Sequence, residues 1–345
     1  MAENDSGRKK RFVKKKKDSV SIPELKDGVL KGDRSSLAKA ITLIESNAEQ
    51  HYAMGQELLQ ELLPYTGKSF RIGITGVPGA GKSTFIEAFG EMLCEQGLRV
   101  AVLAIDPSSS ISGGSILGDK TRMEQLSKNP HAFVRPSPTA GTLGGVHRKT
   151  SETLLLCEAA GYDLMIIETV GVGQSEVMVR QMVDFFLLLV ITGAGDELQG
   201  MKKGIMELAD ALLVNKADGE NKPLAEKTKR ELNQILHFLT PATKGWSSKA
   251  YTCSALKNEG LKEMWNVIRQ FEKQSKEQGV FEERRLLQKQ EWFHTMLKER
   301  ILSDFFYHKD IKSALPHMEG RVKEGDYTTS QAVEELLKRY KGAIH

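Results

Sequence analysis

Gly76-Val77-Pro78-Gly79-Ala80-Gly81-Lys82-Ser83 decides the fold class of this 345-residue chain. Its glycines let successive backbone N–H groups turn toward an anion, its lysine reaches terminal phosphates, and its serine hydroxyl suits Mg²⁺. Such a loop works only between a strand and a helix. Phe70-Arg71-Ile72-Gly73-Ile74-Thr75 reads as the short apolar strand entering it, and Ser83 to Glu95 carries the helical pattern leaving it. The stretch from Gly76 to Thr84 is therefore expected to cradle a nucleoside triphosphate in an α/β fold.

A second run, Asn215-Lys216-Ala217-Asp218, narrows the nucleotide. An amide, a lysine stem and a carboxylate in this arrangement suit guanine, whose two N–H donors on one edge fit the carboxylate. The alternative is a plain polar turn. Ala211-Leu212-Leu213-Val214 reads as a buried strand that delivers this run to its carboxyl end, where open α/β sheets bind ligands. The pair of motifs predicts GTP rather than ATP.

Outward from these runs the chain alternates strand and helix. Arg99 to Ile105, Ala132 to Val134, Leu164 to Ile167, Phe185 to Ile191, Ala211 to Val214 and Lys249 to Cys253 are the further candidate strands. With Phe70 to Thr75 they predict a mostly parallel sheet with helices on both faces. Ile22 to Leu63 is helical in period, with Leu37, Ile41 and Ile44 and later Leu58, Leu59, Leu62 and Leu63, and Pro64 and Gly67 close it. Beyond Leu261 the pattern is helical almost to the end, and Phe293, Leu297, Ile301 and Phe305 form a stripe expected in a core. The organisation expected is a basic arm over 1–21, a helical domain over 22–67, a nucleotide domain over 68–278 and a helical extension over 279–345.

Acids at strand ends suggest a metal and water site. Asp106 follows Val100 to Ile105, and Glu168 follows Met165-Ile166-Ile167 and opens Glu168-Thr169-Val170-Gly171. The latter resembles a γ-phosphate sensor with glutamate in place of aspartate, able to hold Mg²⁺ through water or to orient the attacking water. Each acid alternatively reads as a helix N-cap. Val172 follows Gly171, where many small GTPases carry a water-orienting glutamine, so slow turnover is expected; Gln174 is nearby without matching that spacing. Ser110 to Arg122, Ser137 to Val146 and Thr192 to Lys203 are glycine-rich polar loops after strands, with Asp119 and Lys202 best suited to sense a lost phosphate charge.

Net charge is +4, and eight basic residues lie within positions 8–17, so removing them leaves −4 for the remainder. The basicity belongs to a tail expected to be disordered by self-repulsion. Lysine dominates there, and Glu3 and Asp5 interrupt the start, unlike an Arg- and Ser-rich mitochondrial presequence. Cys94, Cys157 and Cys253 are scattered and odd in number, which suits reduced thiols in a cytoplasmic enzyme. The most apolar run, Phe185 to Ile191, is far too short to cross a bilayer. The eight histidines are dispersed, which disfavours a nickel-delivering metallochaperone.

Several longer stretches resemble the SIMIBI-like P-loop GTPases that serve as chaperones of adenosylcobalamin-dependent methylmalonyl-CoA mutase, called MeaB or ArgK. They are Leu37-Ala38-Lys39-Ala40-Ile41-Thr42-Leu43-Ile44-Glu45, Ala104-Ile105-Asp106-Pro107-Ser108-Ser109, Gly114 to Met123, Gly141 to Val146, Glu168 to Glu176 and Gly195-Asp196-Glu197-Leu198-Gln199-Gly200. The resemblance implies that Lys82 and Ser83 bind phosphate and Mg²⁺ while Asp106, Asp119 and Glu168 surround metal and water. It implies switch I at Ser110 to Arg122, switch II at the Glu168 segment, and a third switch with Asp196, Gln199 and Lys202. Asn215, Lys216 and Asp218 would bind guanine, with Ser254-Ala255-Leu256 as the last base-loop motif. The mutase is the implied partner, a cobalamin adenosyltransferase a further candidate, and a homodimer through the C-terminal extension is implied. A kinase of a transport protein is the alternative of another class. Nucleic acid is not an expected partner.

Overall fold

The computed structural model describes residues 21–46, 48–105, 123–137, 143–169, 175–192 and 203–344. The expected basic arm falls almost wholly outside them. Three helices come first, α1 (Ile22–Leu30), α2 (Arg34–Glu45) and α3 (Glu49–Leu62). Pro23 lies in the first turn of α1, where its missing N–H costs nothing. Asp33 caps α2 by accepting from the Ser36 N–H at 2.7 Å. Leu37, Ile41, Ile44, Leu58 and Leu62 are buried as their spacing predicts. Leu63 is 56% exposed, because the chain tightens there into a 3-10 turn that ends the apolar face.

The strands are β1 (Phe70–Gly76), β2 (Val100–Ile105), β3 (Ala132–Ser137), β4 (Leu164–Thr169), β5 (Phe185–Val190), β6 (Ala211–Val214) and β7 (Lys249–Thr252). They form one sheet of order β3-β2-β4-β1-β5-β6-β7 with every pairing parallel. Between and after them run α4 (Lys82–Glu95), α5 (Glu124–Lys128), α6 (Leu143–Ala159), α7 (Ser175–Arg180), α8 (Lys203–Leu208), α9 (Lys222–His237) and α10 (Leu261–Glu277). The chain ends in α11 (Val280–Tyr307), α12 (Lys309–Glu324) and α13 (Thr329–Ile344).

Alternate strand residues feed two cores, as a sheet covered on both faces requires. Phe186, Leu188 and Val190 join α1–α3 and α6 on one face, while Phe185, Leu187 and Leu189 meet Phe85, Phe89 and Phe271 of α4 and α10 on the other. β1, β2, β5 and β7 each shift by one residue at one end from the sequence reading, β3 runs on to Ser137 instead of Val134, and two differences bear on the site. Parallel pairing carries β4 past Ile167, so Glu168 and Thr169 are strand residues beside Ala104 and Ile105 of β2. The loop expected from Ser137 to Val146 is shorter, since Ser137 ends β3 and α6 starts at Leu143.

A buried charge cluster lies at the amino end of the sheet, opposite the phosphate loop. Arg285 of α11 donates to both carboxylate oxygens of Asp184, at 2.5 and 2.6 Å, and to the Ser69 carbonyl at 2.9 Å. Asp184 also accepts the Arg71 N–H at 2.8 Å. Glu158 takes the Arg71 guanidinium at 2.9 and 3.1 Å, the Ser69 hydroxyl at 2.5 Å and the Gly67 N–H at 2.7 Å. Alongside, Asp210 accepts from Arg180 at 2.7 Å and from Thr243, which also receives Arg284 of α11. Gln288 adds a bond to the Val183 carbonyl at 2.8 Å.

The stripe Phe293, Leu297 and Ile301 departs from expectation. These residues are 63, 46 and 56% exposed. At 28 residues α11 is about 42 Å long and outruns the sheet. Its first turns are held by the polar cluster, and Phe305 packs with Tyr340 on a separate small core of α12 and α13. The turns between present an apolar face to solvent. Four-residue spacing reports amphipathicity, not what the apolar face meets.

Replacing Arg285 with Met leaves Asp184 buried without its main partner, and chemical denaturation should show a loss of about 3–5 kcal/mol. Burial opposes the Glu158 charge, but Arg71, Ser69, Gly67 and Arg285 outweigh it and hold the carboxyl below its ordinary value of 4.5. A depressed carboxyl stabilises above its unfolded value and loses that contribution as pH falls through the folded one. Melting temperature followed from neutral pH to below 4.5 should thus fall more steeply for the native chain than for Glu158→Gln.

Candidate functional site at the carboxyl edge of the sheet

The phosphate loop is shaped by two close approaches. Gly76 ends β1 beside Leu189 of β5, and a Cβ on it would lie 2.3 Å from the Leu189 carbonyl oxygen. Gly81, at φ +80, turns the chain into α4, and a Cβ there would meet Asn215 Nδ2 at 2.7 Å. Only glycine fits either place. No side chain caps the amino end of α4, whose positive dipole end lies at the loop and favours an anion there.

Lys82 folds back over the loop. Its Nζ donates to the Gly76 carbonyl at 2.8 Å and to that of Val77 at 3.3 Å. The adjoining Ser83 hydroxyl donates to Glu168 Oε1 at 3.1 Å. Glu168 comes from β4, which pairs with β1 so that Glu168 faces Ile74. The carboxylate is only 5% exposed, and as a strand residue it is not a helix cap. Beside it Thr169 donates to Thr75 at 2.7 Å, both hydroxyls wholly buried, fastening the end of β4 to the residue before Gly76. Two hard oxygen donors next to a lysine and a helix amino terminus suit Mg²⁺ and phosphate oxygens.

The second motif meets the first directly. Asn215 Nδ2 donates to the Ala80 carbonyl at 2.9 Å, so the amide bridges to the phosphate loop. Its Oδ1 accepts from the Ala255 N–H at 3.2 Å and from the Cys253 thiol at 3.3 Å. Burial pushes that thiol up to about 12, which keeps it protonated as the donor. Lys216 takes the left-handed conformation, φ +61, rare for a lysine. Asp218 accepts from the Ser254 hydroxyl, and Ser254 is wholly buried. Of the last motif, Ser254 and Ala255 thus support Asp218 and Asn215, while Leu256 stands 75% exposed.

The structure therefore brings together Gly76 to Thr84, Glu168, Asn215, Asp218, Ser254 and Ala255 at one sheet edge. Asp106, Asp119, Val172, Gln174, Asp196, Gln199 and Lys202 lie outside the described residues. Sequence reasoning gave no role to Thr75, Cys253 or Asn221. The position of Thr75 just before Gly76 was the one available signal; Cys253 and Asn221 carry none without the fold. No helix among the described residues is long and apolar enough to cross a membrane.

Comparison with known proteins gives the family. The family model described as methylmalonyl-CoA mutase-associated GTPase MeaB matches residues 37–310. GTPase ArgK of Escherichia coli is 47% identical over 280 residues, 81% of this chain and 85% of its own length. The mouse methylmalonic aciduria type A homolog, mitochondrial, is 45% identical over 335 residues, 94% of this chain and 81% of its own. A solved structure named LAO/AO transport system kinase superposes with a TM-score of 0.74 at 36% identity, covering 93% of this chain and 97% of that one. With a family match over most of its length and a phosphate loop bonded to its guanine-type motif, the chain belongs to the MeaB family of P-loop GTPases.

Proposed function

We propose that this chain is a slow Mg²⁺-dependent GTPase that serves as a chaperone of adenosylcobalamin-dependent methylmalonyl-CoA mutase, gating cofactor loading and protecting the enzyme from inactivation. The contact that carries the catalytic half is Ser83 on Glu168 at 3.1 Å, next to Lys82. The mutase half rests on the family description and on the mouse relative, whose name points to methylmalonate metabolism.

In this reading Lys82 leaves the Gly76 and Val77 carbonyls for the β- and γ-phosphates, and the loop amides and α4 amino terminus bind the remaining charge. Ser83 and Glu168 would hold Mg²⁺, with Asp106 and Asp119 as further acids. The ion, when bound, neutralises charge on phosphate oxygens. Glu168 orients water toward the γ-phosphorus; the new P–O bond forms as the bond to the bridging oxygen breaks, releasing GDP and phosphate. Asn215 and Lys216 frame guanine, and Asp218 accepts from its two N–H donors.

Val172 in place of a water-orienting glutamine keeps intrinsic turnover slow. The mutase orders the segments around Ser110 to Arg122, Glu168 and Asp196 to Lys202, where Asp196, Gln199 and Lys202 transmit its presence. A cobalamin adenosyltransferase joins at the cofactor-loading step. The exposed stripe Phe293, Leu297 and Ile301 supports a homodimer through the C-terminal helices. The location proposed is the cytoplasm.

A second reading, phosphoryl transfer to a protein acceptor, is favoured only by the name of the solved relative. Labelled γ-phosphate appearing on protein rather than in water would support it.

Lys82→Ala should lower GTP turnover by about 100-fold or more, measured as phosphate release; native turnover would remove the site assignment. Asp218→Asn should shift preference from GTP toward XTP, read in the same assay. Pull-down with the mutase, comparing GDP with a non-hydrolysable GTP analogue, should show nucleotide-dependent binding. Failure to bind with either nucleotide would sink the chaperone role and leave the GTPase intact.

A further inference from the structure

Asn221 sits three residues beyond Asp218, where the 3-10 turn Gly219–Asn221 leads into α9. Its backbone N–H and both polar atoms of its side chain hold two segments together. Its backbone N–H donates to the Asp218 carbonyl at 3.0 Å, closing the turn that carries the base-reading acid. Its side-chain Nδ2 donates to the Lys216 carbonyl at 2.6 Å. That carbonyl belongs to the left-handed residue between Asn215 and Asp218, so the bond fixes the kink that aims both side chains. Its Oδ1 accepts from the Thr192 hydroxyl at 2.6 Å.

Thr192 lies two residues past Val190, the end of β5, and the 193–202 segment departs from it. The ladder between β5 and β6 runs on to the Asn215 N–H, which donates to the Val190 carbonyl at 2.9 Å. Backbone pairing thus sets the height of Asn215 relative to β5. The Asn221 amide sets the far side of the same loop relative to Thr192. An aspartate could accept from Thr192 but would repel the Lys216 carbonyl, and a leucine could do neither. An amide is the group that bridges a hydroxyl donor and a carbonyl acceptor at once.

The geometry points to Asn221 as a positioning residue for guanine selectivity, clamping the Asn215 to Asp218 loop to Thr192 so that base recognition depends on a residue outside the motif. This rests on the reading of Asp218 as the group that accepts from the guanine edge. GDP and IDP differ by the exocyclic 2-amino group, one of the two donors for Asp218. A displaced carboxylate therefore costs GDP more than IDP, and the ratio of their dissociation constants reports its position.

Binding of GDP and IDP to the full chain, by calorimetry in Mg²⁺ buffer, tests the clamp. Asn221→Ala should shrink the IDP-to-GDP ratio by about 5-fold or more, and Thr192→Val by about 2- to 5-fold, sizes set by loss of one or two hydrogen bonds. Thr192→Ser, which keeps the donor, should retain the native ratio. A merely structural residue would lower the melting temperature and leave the ratio alone. If Asn221→Ala does not fold, the Thr192 pair decides. Native ratios in Asn221→Ala and Thr192→Val, with a collapsed ratio in Asp218→Asn, would overturn the clamp and spare the base site. A native ratio in Asp218→Asn would overturn the base assignment and the clamp with it.

Discussion

The upper edge of the sheet depends on the register of three parallel strands. β1 lies between β4 and β5, with Ile74 beside Glu168 and Gly76 beside Leu189. At Gly76 the loop backbone runs so close to β5 that no side chain could be admitted. A shift by one residue would turn Glu168 to the other face of β4 and carry it away from Ser83. The same parallel order delivers Asn215 from β6 and Ser254 from β7 to that edge. One backbone arrangement therefore brings the glycine-rich loop, the Glu168 carboxylate and the Asn215 to Asp218 run to a single edge.

The opposite edge is organised by charge rather than by glycine. Asp184, Glu158 and Asp210 are nearly inaccessible, and Arg71, Arg180, Arg284 and Arg285 surround them. Burying ions is costly unless each is paired and its remaining valences filled. Here backbone donors and the Ser69 and Thr243 hydroxyls fill them. The result fixes the start of α11 to the sheet while leaving its middle turns, with their apolar stripe, free to meet another surface. Arg180 closes α7, which follows the Glu168 segment in sequence, so this cluster also touches the element downstream of the site.

The central strands were legible because each is a short apolar run bounded by turn residues, whereas β3 and β7 carry polar residues and show less clearly; the strand-loop-helix context of Gly76 to Ser83 was legible because the glycine and lysine spacing demands it. Strand order was not, since β1 inserts between strands that follow it in the chain. Glu168 was placed just past its strand because local apolarity ends at Ile167, whereas pairing with β2 continues through Thr169. Arg71 and Arg285 stand more than two hundred positions apart, and no local pattern joins them to one carboxylate. Phe293, Leu297 and Ile301 were read as core from a period that says nothing about the facing surface. Asn221 looks in sequence like any amide in a polar turn.

The central claim is that the edge built by β1, β4, β6 and β7 selects a guanine nucleotide. Its most direct test is the structure of the chain grown with equal excess of GDP, ADP and Mg²⁺. The account predicts density for GDP alone, its base on Asp218, its β-phosphate within the Gly76 to Ser83 loop and the ion on Ser83. Density for ADP in that loop, or a guanine base away from Asp218, would contradict it.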